Sequence, residues 1–113
     1  MIHKIGNFND TLSLPPMAPA IKSLILSNVN LLCEHYGCNR DADNDDGGII
    51  LYCPKGTAED ELKKHFDYTR HLPEYVEVID GVCHALYITT NEYTVSVIMS
   101  IDDLPQEIKE ELK

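Results

Sequence analysis

Four cysteines and five histidines are the residues with which this chain could hold a metal or form a covalent bond. Cys33, His35 and Cys38 stand close together, and Cys53 could complete a set of soft ligands, since thiolates and imidazoles both suit zinc. Their spacing argues against that use. Zinc knuckles pair cysteines two to four residues apart in a tight turn, whereas Cys33 and His35 are two apart in a predicted helix and point about 200° away from each other. With no apolar run near the start long enough for a signal-peptide core, reduced thiols in a cytoplasmic setting are expected.

The run Asp41-Ala-Asp43-Asn-Asp45-Asp46-Gly47 invites comparison with a calcium loop, whose ligands sit at positions 1, 3 and 5 with Gly at 6 and Glu at 12. Starting at Asp41 puts Asp46 where Gly is needed and Tyr52 where Glu is needed. Starting at Ala42 restores Gly47 but loses the first carboxylate and ends on Cys53. The run reads instead as a solvated loop.

Glu77 and His84 form a pair that topology itself proposes. If Asp80-Gly81 is a two-residue turn, Ile79 faces Val82, Val78 faces Cys83, and Glu77 faces His84 across the ladder. A carboxylate opposite an imidazole could act as an acid/base dyad, and such pairs also serve to solvate a sheet face. Cys83 cannot join His84 as a nucleophile, because adjacent strand residues point to opposite faces. The chain has no Gly-rich phosphate loop, nucleophile elbow, His-Glu-x-x-His or dinucleotide fingerprint. No metal and no cofactor is expected.

The elements that must carry these residues follow from periodicity. Pro15, Pro16 and Pro19 remove backbone donors and predict an extended arm over 1–17, with a short strand near Leu12 and Leu14. From Ala18 to Tyr36 the apolar residues Ile21, Ile25, Val29, Leu32 and Tyr36 recur at helical spacing, with Gly37 placed to end the helix. Asn39 to Gly48 is a polar loop, and Ile49 to Cys53 is short and apolar enough for a strand buried on both faces. Thr57 is positioned to cap a helix from Ala58 to about Asp67.

Three runs rich in Val, Ile, Tyr and Thr follow, Tyr75 to Ile79, Val82 to Thr90 and Tyr93 to Ile101, separated by Asp80-Gly81 and Asn91-Glu92. The last alternates apolar and polar residues, the pattern of a strand half exposed on one face. Asp103 and Gln106 resemble a capping box opening a helix through Leu112. The expected fold is therefore one α+β domain over 18–113, of order α-β-α-β-β-β-α. Its sheet has four mainly antiparallel strands ending in a three-strand meander, with helices mainly on one face.

Nine Lys and Arg against 19 Asp and Glu leave a charge of -10 on 113 residues. That balance opposes direct binding to nucleic acid or an anionic bilayer, both of which need a basic footprint. A hydrophobic fraction of 43% is too high for a disordered acidic tail, and no stretch is long and apolar enough to span a membrane.

Two surfaces could bind a protein partner. One is acidic: Asp41, Asp43, Asp45 and Asp46 in the loop, Glu59, Asp60 and Glu61 at the second helix, and Asp102, Asp103, Glu107, Glu110 and Glu111 near the end. On one face these could imitate the phosphates of DNA and occupy the basic groove of a DNA-handling protein. The other is the first helix, whose only charges are Lys22 and Glu34.

The stretch Gly47 to Pro105, with its Gly-Gly-Ile-Ile-Leu-Tyr strand, Thr-capped acidic helix and Asn91-Glu92-Tyr93 turn into a Val-rich strand, resembles small transposon-encoded proteins of Gram-positive conjugative elements. The resemblance implies a bacterial cytoplasm and an accessory role around mobile DNA, and brings no functional residues with it. The expected function is a non-enzymatic accessory or regulatory protein of a mobile element acting through protein contacts. The alternatives are an acidic DNA mimic that inhibits a nuclease, restriction complex or DNA-binding regulator, and a small metal-dependent or Cys/His enzyme.

Overall fold

The structure of the protein, a computed structural model, describes residues 2–6, 8–36, 48–89 and 93–112, and of 32–36 the backbone alone. Five strands make one sheet: β1 (His3–Ile5), β2 (Gly48–Cys53), β3 (Tyr75–Ile79), β4 (Val82–Ile88) and β5 (Thr94–Ser100). The helices are α1 (Pro19–Tyr36), α2 (Glu59–His65) and α3 (Gln106–Glu111). The α+β class is as expected.

The β3-β4 hairpin forms where its turn residues dictate. Asp80 and Gly81 take φ values of 50° and 77°, the two positive dihedrals a two-residue hairpin needs to match the twist of its strands. Ile79 faces Val82, and β4 then runs antiparallel to β5 from Val82 opposite Ser100 to Ile88 opposite Thr94.

The sheet corrects the four-strand antiparallel expectation. Its order is β1-β2-β5-β4-β3, with β2 parallel to β5 and β1 antiparallel to β2. The segment between β2 and β5, carrying α2, β3 and β4, supplies the long connection that parallel pairing requires. Three residues of β1 are too few to show a period of two. The strand expected near Leu12 and Leu14 is instead a 3-10 helix over Asn9–Ser13, in which the Thr11 hydroxyl donates to the Phe8 carbonyl at 2.6 Å. The N-terminal segment is thus not an extended arm throughout: β1 joins the sheet, and Phe8, Leu14 and Met17 pack against its core.

Helices cover both faces, not mainly one. On one face α1 lays Ile25 and Val29 against Ile5, Ile50, Tyr52, Val82 and Ile98. On the other, Leu62 of α2, Ile108 of α3, Tyr68 and Leu104 cover Leu51, Cys53, Cys83, Ala85, Tyr87, Val95, Val97 and Met99. Each aliphatic side chain so buried contributes roughly 1.5–3 kcal/mol relative to exposure. The half-exposed face expected for the last strand is missing at its centre, since Ser96 and Ile98 are both buried under α1.

Two helix starts also differ from expectation. Ala58, not Thr57, is the N-cap of α2, and it has no side-chain cap bond; the Thr57 hydroxyl donates instead to the Pro54 carbonyl at 2.7 Å. The α3 N-cap is Pro105 without a side-chain bond, while the Asp103 carboxylate accepts from the Gly56 amide at 2.8 Å. Both side chains tie the β2-α2 turn instead of capping a helix.

Candidate functional site

The register places Glu77 of β3 opposite His84 of β4. Their contact is not a solvated charge pair: Glu77 is about half exposed, but His84 is only 1% exposed. The ring is held by three side chains from the two neighbouring strands. Its Nδ1 lies 3.3 Å from Glu77 Oε1 and 3.4 Å from the Tyr75 hydroxyl, and its Nε2 lies 2.9 Å from the Ser96 hydroxyl on β5. Tyr75 also meets the imidazole edge-on at 5.4 Å between centroids.

The direction of proton donation along this chain can be derived from one fixed end. Asn28 of α1 lies 2.8 Å from the Leu24 carbonyl, which only accepts, so the amide nitrogen must face it. Asn28 Oδ1 then faces Ser96 and receives its hydroxyl proton at 2.8 Å. The Ser96 lone pair is left for His84 Nε2, which must therefore carry hydrogen. In the neutral ring Nδ1 is the acceptor, and Tyr75 is the donor within reach. Glu77 gains a hydrogen bond from Nδ1 only when the ring is protonated.

The Ser96, His84 and Glu77 side chains thus share the residue types of a nucleophilic triad but run in the opposite sense. A serine nucleophile gives its proton to the imidazole. Here Ser96 gives it to Asn28, and the hydroxyl is 1% exposed. Burial pushes the His84 pKa below its ordinary value of 6.5, against the pull of Glu77, so the neutral ring prevails near pH 7. This serine and histidine escaped sequence reasoning as a pair, because neither shows a motif and their contact depends on the β4-β5 register.

The cysteines that the structure describes are buried as well. Cys53 and Cys83 are free and buried, and burial above all pushes their thiols up to about 12 and about 11, with Glu61 and Glu77 respectively adding to the effect. Among the described residues no three His, Cys, Asp or Glu side chains gather as a metal site, and no helix is long and apolar enough to cross a membrane. The side chains of Cys33 and His35, together with Cys38, the loop carboxylates Asp41, Asp43, Asp45 and Asp46, and the Asn91-Glu92 turn, lie outside the described residues.

The acidic residues of α2 divide into two kinds. Glu59 accepts from the Tyr68 hydroxyl and lies 3.7 Å from Lys63, and Glu61 accepts from the Ile2 amide at 2.9 Å, fastening the chain before β1. Asp60 is exposed. Near the end, Asp102 lies 3.5 Å from Lys55, while Glu107, Glu110 and Glu111 line a shallow groove with Tyr68, Leu72 and Pro73. Both helices pack on the same sheet face, so their carboxylates share a side, interrupted by Lys55, Lys63, Lys64 and Lys109.

The two sheet edges differ sharply. β1 is three residues long and exposes Lys4, features that protect an edge from further pairing. β3 is five residues long, with Tyr75, Val78 and Ile79 exposed and Glu77 its one charge, and Leu72 just before it is 81% exposed. Its free hydrogen-bonding groups can be named. Thr89 donates to the Tyr93 carbonyl and Ile101 to that of Gly81, so odd-numbered residues of β4 aim at β5 and even-numbered ones at β3. Tyr75, Glu77 and Ile79 therefore bond inward, and the amides and carbonyls of Val76 and Val78 point out of the sheet.

No family model, no curated protein and no solved structure matches this chain.

Proposed function

We propose that this chain is a non-enzymatic accessory or regulatory protein that acts by contact with another protein, and from its resemblance we take a mobile genetic element as its setting. One observation carries the reading. Along the β3 edge, Leu72 is 81% exposed and Tyr75, Val78 and Ile79 are each partly exposed, Val78 on one face of the strand and the other two on the opposite face, and exposed apolar surface of this kind marks interaction sites. The buried polar chain at His84 supports the same reading, because its proton order leaves Ser96 without a base.

A second reading, the acidic DNA mimic, is favoured by the placing of α2 and α3 on the same sheet face, with Glu107, Glu110 and Glu111 lining one groove and Asp60 exposed on α2. It differs in salt response. A mimic's hold on a basic DNA-handling partner weakens steeply as salt rises, whereas an apolar contact persists.

The test is photo-crosslinking in the native host, with a photoreactive residue placed at Val78 or, as control, at exposed Lys22 of α1. A discrete adduct with a second protein from position 78 alone is expected. Adducts from neither position would overturn the reading, and adducts only from a probe at Glu110 would favour the mimic.

A further inference from the structure

We propose that the β3 edge is a docking site for an extended segment of a partner protein, added antiparallel as a sixth strand, with apolar residues on either side of a Lys or Arg that lies opposite Glu77. This rests on the protein-contact reading above and names the partner's chemistry.

The backbone half of the argument is the pairing of Val76 and Val78. Their outward amides and carbonyls offer two donors and two acceptors at the spacing of a strand, and strand addition uses such groups for affinity and side-chain positions for specificity. With Val76 and Val78 in the hydrogen-bonded positions, Glu77 falls in the closer, non-hydrogen-bonded position, where facing side chains approach most. Val76 packs on the core of the α2 and α3 face while Val78 is 45% exposed beside it. A partner's β-branched residues opposite these two would extend that apolar surface.

The charge half selects the occupant. No Lys or Arg occurs between Arg70 and Lys109, whereas Glu74, Glu77 and Asp80 stand along or beside β3. Across the ladder the Glu77 carboxylate faces His84, which is neutral near pH 7. Neither β3 nor β4 carries a Lys or Arg, so among the described residues of this hairpin the edge presents carboxylate to its partner. A second copy paired about Glu77 fits the apolar part, since Tyr-Val-Glu-Val-Ile is nearly symmetrical about its centre, but that register sets Glu77 against Glu77 between two chains of charge -10. Like charges directly opposite each other oppose pairing. A basic strand reverses that sign.

The probe is a capped Thr-Val-Lys-Val-Thr peptide titrated into the full chain at low salt, against the same peptide with Glu in place of Lys. Amide exchange is followed residue by residue. Slowed exchange at Val76 and Val78 is expected, with the Lys peptide binding roughly tenfold tighter than the Glu peptide. Glu77→Lys should invert the preference, and Glu77→Gln, which keeps the shape, should reduce it to near parity. Equal binding of both peptides, or protection elsewhere, overturns the proposal. So does a dimer by sedimentation with Val76 and Val78 already protected, which would assign the edge to a second copy. If the peptides fail while position 78 still crosslinks to a protein, strand addition is wrong and the protein-contact reading stands.

Discussion

The Ser96 hydroxyl donates its proton to Oδ1 of Asn28, joining the central strand β5 to the helix that covers it across 2.8 Å. Removing the hydroxyl leaves two buried groups without their partner, the Asn28 oxygen and the His84 Nε2 hydrogen. An unsatisfied buried polar group costs about 1–3 kcal/mol. Ser96→Ala is expected to destabilise the fold by about 2 kcal/mol or more in urea titrations. A neutral effect would mean that the chain of donors is not formed.

His84 should make stability depend on pH with a definite sign. Burial depresses its folded pKa below the unfolded value of about 6.5, so the unfolded chain binds the proton first as pH falls. The stability gained by keeping the ring neutral is complete above about pH 6.5 and is lost as pH drops through the folded value. Unfolding measured between about pH 7.5 and 5 should show this loss, and His84→Gln should flatten it relative to the native chain. A native stability that rises on acidification would mean that Glu77 outweighs burial.

The β3-β4 turn should be sensitive at Gly81 for a conformational reason alone. A Cβ built at Gly81 meets nothing within 4 Å, but its φ of 77° is one that other residues adopt at a cost. Gly81→Ala is expected to cost about 1–2 kcal/mol, and Asp80→Asn close to nothing, by thermal or urea unfolding.

Thiol labelling should separate folded from unfolded chains at two positions. Cys53 and Cys83 are buried, with thiols pushed up to about 12 and about 11, so the nucleophilic thiolate is scarce at neutral pH. Iodoacetamide should modify neither residue in the native protein and both after denaturation, as read by peptide mass spectrometry. Prompt native labelling at Cys83 would contradict the packing under α2 and α3.

The sequence made the meander legible because β3, β4 and β5 are bounded by turn residues, and Asp80-Gly81 alone sets the register that brings Glu77 opposite His84. It did not show that β2 runs parallel to β5, since nothing in Ile49 to Cys53 encodes the direction of a neighbour. Ser96 misled in an informative way. A polar residue at an alternating position reads as solvent-facing, but its hydroxyl is satisfied by Asn28 from a helix 68 positions away in sequence, a distance over which local periodicity carries no information. The outward amides of Val76 and Val78 were equally hidden, because an edge is a property of strand order.

The most direct test of an open, partner-ready β3 is the exchange of its backbone amides in the free protein. Val76 and Val78 should exchange rapidly while Glu77 and Ile79, bonded to β4, exchange far more slowly. Equal protection of all four would mean that the edge is already covered, and would contradict the account.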